Sequence, residues 1–166
     1  MTKYIEVRAV KTFQGKDIPT YTFFLKGADV LRIADVSRIH RDATGELKGF
    51  QRKEIQNHVT SIVEYLDKGD VMFPNALILA FQADLEFKQS RGKSPDGAVS
   101  GTLFLPTTSL GRRAAWIVDG QQRSFALSKT KNRDIMVPVV GFVAPDIGMQ
   151  ENNLSWLTKL GLYRKD

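Results

Sequence analysis

The sequence predicts a single α/β domain in which a few helices pack on a mixed β-sheet, and three observations carry that prediction. Short segments rich in Val, Ile, Phe, Tyr and Thr alternate with isolated helical stretches instead of running in blocks. Two apolar runs, 76–81 and 135–143, have strand length and little polar alternation, the pattern of strands covered on both faces. Between them in character is residues 52–67, where Ile55, Val59, Ile62, Val63 and Leu66 form one helical stripe.

In chain order, residues 3–11 and 20–26 read as a β-hairpin around Gln14-Gly15-Lys16-Asp17. Residues 27–36 place Val30, Ile33 and Ala34 at helical spacing, which predicts a short helix. The polar stretch 41–49 is a loop. The helix over 52–67 stops at Asp67-Lys68-Gly69. After the strand at 76–81, residues 84–88 and 99–105 pair as a second hairpin around the loop 89–97. Residues 113–118 form a strand that ends abruptly at Asp119-Gly120, and 121–129 form a helix. Pro138 within the run 135–143 predicts a bulge or an edge position there. Leu154, Leu157 and Leu160 give the tail a weak amphipathic pattern. The expected division is a domain over residues 1–145 and a tail over 146–166.

Composition narrows the chemistry. At 166 residues the chain is long enough for a core without staples, and 42% hydrophobic with 25% charged residues is ordinary for a globular protein. The absence of cysteine removes disulfides, thiolate metal sites and thiol nucleophiles. Two histidines, His40 and His58, are too few for an imidazole zinc site, so a metal would be a hard ion on oxygen, best magnesium with phosphates. The N-terminus lacks an apolar signal core and no run approaches membrane-spanning length, so the expected location is the cytoplasm, with no membrane partner. The net charge is +6, yet the window 88–133 alone holds nine basic residues against Asp96 and Asp119. Such a field attracts polyanions. Lys88, Arg91, Lys93, Arg112 and Arg113 are the candidate DNA contacts within it.

Gly92-Lys93-Ser94 mimics a phosphate-binding loop, but position 87 is Phe where that loop requires Gly, and Pro95 blocks the helix that should follow. The stronger signal is Trp116-Ile-Val-Asp-Gly-Gln-Gln-Arg123, a strand that turns at Asp-Gly directly into a helix. Backbone N–H groups at such a helix start, with the positive end of the dipole, bind phosphate. Gly120 allows close approach, and Arg123 offers two parallel hydrogen bonds to a phosphate. Asp119 is placed to hold magnesium. The same residues also fit a capping box in which Asp119 and Gln122 satisfy the first orphan donors, and both readings stand together at this point. Arg52, near the start of the long helix, is a second candidate phosphate contact. His58, beside the apolar stripe, reads as a half-buried packing residue.

Residues 117–123, Ile-Val-Asp-Gly-Gln-Gln-Arg, resemble the signature of the DGQHR-domain family, which includes DndB-like and DpdB-like proteins of DNA phosphorothioation and 7-deazaguanine modification. Gly49-Phe-Gln-Arg52, Ile55, His58, Ile62 and Tyr65-Leu66, followed by Phe73-Pro-Asn75, are similar to that family's other block. More distantly the motif resembles the phosphate-binding strand–helix turn of ParB-type proteins and sulfiredoxins, and it is similar to the Asp-Gly-Gln-Gln-Arg motif of GmrSD-type restriction enzymes. The resemblance implies a ParB/sulfiredoxin-like α/β fold that binds, and in several branches hydrolyses, nucleoside triphosphates in DNA modification or defence. The chain differs in having Gln122 where the family signature has His, and it is expected to be a short member lacking the helical second half. Sulfiredoxin chemistry is excluded, because it needs a cysteine.

The expected function is therefore nucleoside-triphosphate binding, ATP foremost, with Mg2+, and with magnesium-dependent hydrolysis left open. In that scheme Gly120, Gln121, Gln122 and Arg123 hold phosphates, Asp119 holds the metal and orients water, and Arg52 closes the site; catalysis would rest on Asp119 and Arg123. Expected partners are a nucleotide, DNA and other proteins of a DNA-modification cluster. The rival reading is a non-enzymatic DNA-binding regulator that uses the basic window. An endonuclease is disfavoured, since no acidic cluster accompanies Asp119.

Overall fold

A computed structural model describes residues 3–36, 49–107 and 113–144, without the side chains of 36 and 49–54. The elements are β1 (Lys3–Gln14), β2 (Ile18–Lys26), a 3-10 turn (Gly27–Asp29), α1 (Val30–Ile33), β3 (Ala34–Val36), α2 (Gly49–Leu66), β4 (Leu77–Phe81), β5 (Phe87–Gln89), β6 (Val99–Thr107), β7 (Ala115–Asp119), α3 (Gln121–Lys129) and β8 (Met136–Val143). The loop at 41–48, Arg112 and the tail from 145 lie outside the described residues. No described helix is long and apolar enough to cross a membrane.

All eight strands join one sheet in the order β3-β7-β4-β8-β2-β1-β6-β5. β3 is parallel to β7 and β4 to β8, and the other pairings are antiparallel. The mixed sheet follows from the connections. Tight turns make β1–β2 antiparallel, whereas the long excursion from β4 to β8 permits a parallel pair. The sheet curls enough for α1, near one edge, to touch β6 near the other.

The concave face holds the core. Strand alternation sends Tyr21, Phe23 and Leu25 of β2, Leu77, Leu79 and Phe81 of β4, and Leu103 and Leu105 of β6 inward, where they meet Ile33, Val59, Leu66 and Leu127 from the helices. The 52–67 stripe thus packs as the spacing predicts. On the convex face a smaller cluster joins Ala80, Val118, Phe142 and Ala144 with Trp116, which is why β4 and β8 read as continuous apolar runs.

One local expectation fails and a second is met only in part. The helix predicted over 27–36 is one turn of 3-10 helix and one of α-helix before β3 begins, because residues 34–36 find a parallel partner in β7. Pro138 sits in an interior strand, between β4 and β2, with no bulge in either ladder there. It is tolerated because the β4 ladder begins one residue later, at Leu77 with Val139, so Pro138 precedes the two-sided part of β8.

The C-terminal ends of α2 and α3 are fastened together. Asp67 Oδ1 accepts hydrogen bonds from Thr130 Oγ1 at 2.5 Å and the Lys131 N–H at 2.9 Å, and Asn132 Nδ2 donates to the carbonyls of Leu66 and Gly69. The Thr130 bond first, then the Lys131 bond, hold the Asp67 carboxyl below its ordinary range.

Candidate functional site

The Asp119-Gly120 junction forms as the sequence predicts: β7 is interior to the sheet and α3 starts at Gln121. Its geometry depends on two features. Between β4 and β7 the register runs Ile78 with Asp119 but Leu79 with Ile117, so Val118 is an extra residue in β7. Without that bulge Asp119 would share the inward face of Ile117; the bulge turns the carboxylate away from the core. Gly120 then adopts φ +90°, and a Cβ there would come within 2.4 Å of Leu77 Cδ2. No other residue type fits without strain.

Gly120, not Asp119, is the N-cap of α3, and no side chain caps it. The capping box is therefore not made, because the bulge and the left-handed Gly120 carry the Asp119 side chain off the helix end. Ser124 N–H donates to the Gly120 carbonyl at 2.8 Å as the first helical bond. The N–H groups of Gln121, Gln122 and Arg123 precede it and carry no cap among the described residues.

Arg123 is a clamp. Its Nη1 donates to the Asn75 carbonyl at 2.6 Å and to the Ala76 carbonyl at 3.3 Å. Its Nη2 donates to Asp119 Oδ2 at 3.3 Å, and the guanidinium lies 5.9 Å from the Phe73 ring centre. The arginine thus ties the entry of β4 to the exit of β7, and only part of its donor set remains free. Gln121 Nε2 donates to the Ile117 carbonyl at 3.4 Å, while Gln122 makes no side-chain hydrogen bond among the described residues.

These residues border a cavity of about 840 Å³. Asp119, Gly120, Gln121, Gln122 and Arg123 form one end of its wall. Arg113, which the sequence offers as a DNA contact, lines this cavity; its Nη1 donates to the Arg32 carbonyl at 3.1 Å and closes the end of α1. Asp35 and Asn75 also reach the wall, and sequence reasoning singles out neither as a site residue. Asn75 belongs to the Phe73-Pro-Asn75 block, whereas Asp35 carries no sequence signal, since only the β3–β7 pairing brings it there. His58 is exposed and lines the cavity, so it is not a packing histidine: the α2 stripe turns Val59 inward and leaves its neighbour outside. The side chain of Arg52 lies outside the described residues; its position is one helical turn before Ile55, another lining residue.

Lys88, Arg91 and Lys93 do not join this site. Lys88 lies on β5, at the opposite edge of the strand order from β3, and Arg91 and Lys93 follow in the exposed loop to β6. The basic window of the sequence is thereby split. As for metal, the described residues contain no group of three carboxylates or histidines that would hold an ion alone. Asp119, with half its side chain exposed, suits magnesium only as one ligand among phosphate oxygens and water.

Searches of curated proteins and of solved structures each give no significant match. A family model does match, over residues 7–155, a span that takes in both blocks, the bulged β7 and the whole cavity wall. The chain belongs to the DndB family, described as DNA-sulfur modification-associated.

Proposed function

We propose that the cavity binds the phosphates of a nucleoside triphosphate, ATP foremost, in a component of a DNA-sulfur modification system. The observation that supports it best is the uncapped start of α3. Three successive N–H groups at the start of α3 border a cavity large enough for a nucleotide. Arg113 adds a guanidinium on the same wall, and Arg52 is proposed to close the site from α2. Arg123 contributes mainly by fixing the turn that presents those N–H groups, with its remaining donors available to a phosphate.

Asp119 would hold the magnesium ion that accompanies the phosphates. When bound it would neutralise phosphate charge and so support phosphoryl transfer. Arg123 Nη2 engages only Asp119 Oδ2, so the carboxylate would serve the guanidinium and the ion together. A hydrolytic step would draw its proton acceptor from Asp35 or His58, the lining residues with that capacity that are not given to the metal. Calorimetry of ATP, GTP, CTP and UTP, each with and without magnesium, tests the proposal. A heat of binding for at least one nucleotide, lost on mutation of Arg113, is expected. Silence with all four would refute it.

A further inference from the structure

A second surface lies on the convex face of the sheet half formed by β2, β1, β6 and β5. Alternation sends Ala9 into the core and therefore Tyr4, Glu6, Arg8 and Val10 of β1 to this face. Register sets Arg8 beside Thr102 and Thr102 beside Lys88, so two cations lie in one row across three strands. Tyr4, 50% exposed, meets Phe104 edge-on at 6.3 Å, and Lys88 Nζ stands 5.0 Å over the Phe104 ring. On β2, Phe24 is 58% exposed. Arg8 Nη1 donates to Ser90 Oγ at 3.2 Å, fastening the start of the loop that carries Arg91 and Lys93. Two acids, Glu6 and Glu86, share the region, the latter 3.8 Å from Lys88.

Exposed rings interleaved with cations on an open sheet fit one polyanion best. A duplex hides its base faces by stacking, so it can use the cations but not the rings. A single strand offers both phosphates and free π-faces. Tyr4 and Arg8 are about 13 Å apart along β1, enough for an extended strand to lay down successive nucleotides. We propose that this face binds single-stranded DNA, stacking bases on Tyr4 and Phe24 while Arg8, Lys88, Arg91 and Lys93 contact phosphates. DNA rather than RNA follows from the family's association with DNA. This site is separate from the cavity and does not rest on nucleotide binding there.

The test is fluorescence anisotropy of the full chain with labelled oligothymidylate, oligouridylate and duplex DNA across a salt series. Oligothymidylate is expected to bind more tightly than either competitor. Tyr4→Ala and Phe24→Ala should each weaken it roughly fivefold or more while leaving the salt slope unchanged. Arg8→Ala and Lys88→Ala should instead reduce the log–log slope by about 0.7 for each phosphate left without its cation. Circular dichroism confirms folding of each variant, and all four positions are exposed enough to tolerate alanine. Tighter binding of duplex or oligouridylate, absence of binding by the parent, or a folded Tyr4→Ala/Phe24→Ala variant with parental affinity would each overturn the proposal.

Discussion

Two regions of this molecule are rich in arginine and lysine, and they use the charge in opposite ways. At the cavity the cations are tied down: Arg123 holds the carbonyls of Asn75 and Ala76 and the carboxylate of Asp119, and Arg113 holds the carbonyl of Arg32. On the β5 side the cations project: Lys88 has 70% of its side chain exposed, and Arg91 and Lys93 sit in an open loop. Tied cations shape a backbone; projecting ones set a field that salt can screen. A single basic window in the sequence thus serves two physical roles, separated by the fold.

The sharpest way to break the contrast is at the turn itself. Gly120→Ala should cost about 3 kcal/mol or more, combining left-handed strain with a clash against Leu77. Urea unfolding measures it, and a loss under about 1 kcal/mol would mean the turn relaxes freely. Next is Arg123→Ala, which should lower stability by about 2 kcal/mol by removing the charged hydrogen bonds. Arg123→Lys should recover only part of that, since an ammonium cannot span two carbonyls and a carboxylate.

A smaller effect separates the cavity from the joint behind it. The folded-state pKa of Asp67 is depressed, so its contribution is present above the ordinary carboxylate range and disappears as pH falls through the lower folded value. Asp67→Ala should therefore lower the melting temperature at pH 7, and the gap to the parent should close at pH values below about 3. A gap independent of pH would show that Thr130 and Lys131 do not depend on the charged carboxylate. The smallest stability effect belongs to the projecting cations. Alanine at Lys88, Arg91 and Lys93 together should change unfolding free energy by about 1 kcal/mol at most, yet it should flatten the salt dependence of DNA binding.

What the sequence showed of this arrangement follows from the range of the forces involved. Local signals were legible: the stripe from Ile55 to Leu66, the strand stop at Asp119-Gly120 and the helix that follows are written in neighbouring residues. The hairpin at Gln14–Ile18 was legible for the same reason, since Gly15 and Asp17 both take positive φ there. Long-range pairing was not. Nothing near Asp35 announces that β3 will lie beside β7, and nothing near Arg113 says that its side chain will reach back to Arg32. The bulge at Val118 was equally hidden, because it is a property of two strands and not of one. It decides where Asp119 points, so the sequence identified the residue but not its orientation.

Gln122→Glu probes the start of α3 as a phosphate site without removing any contact that holds the fold. A carboxylate in the first turn of α3 faces the positive end of the helix, so it should leave stability unchanged or raise it by about 0.3–1 kcal/mol. The same carboxylate would stand where the proposed site receives phosphate. Calorimetry of ATP with magnesium should therefore show affinity falling by at least about tenfold, or roughly 1.4 kcal/mol, in a variant that melts no lower than the parent. Parental affinity in that folded variant would contradict the claim that the start of α3 is the phosphate site.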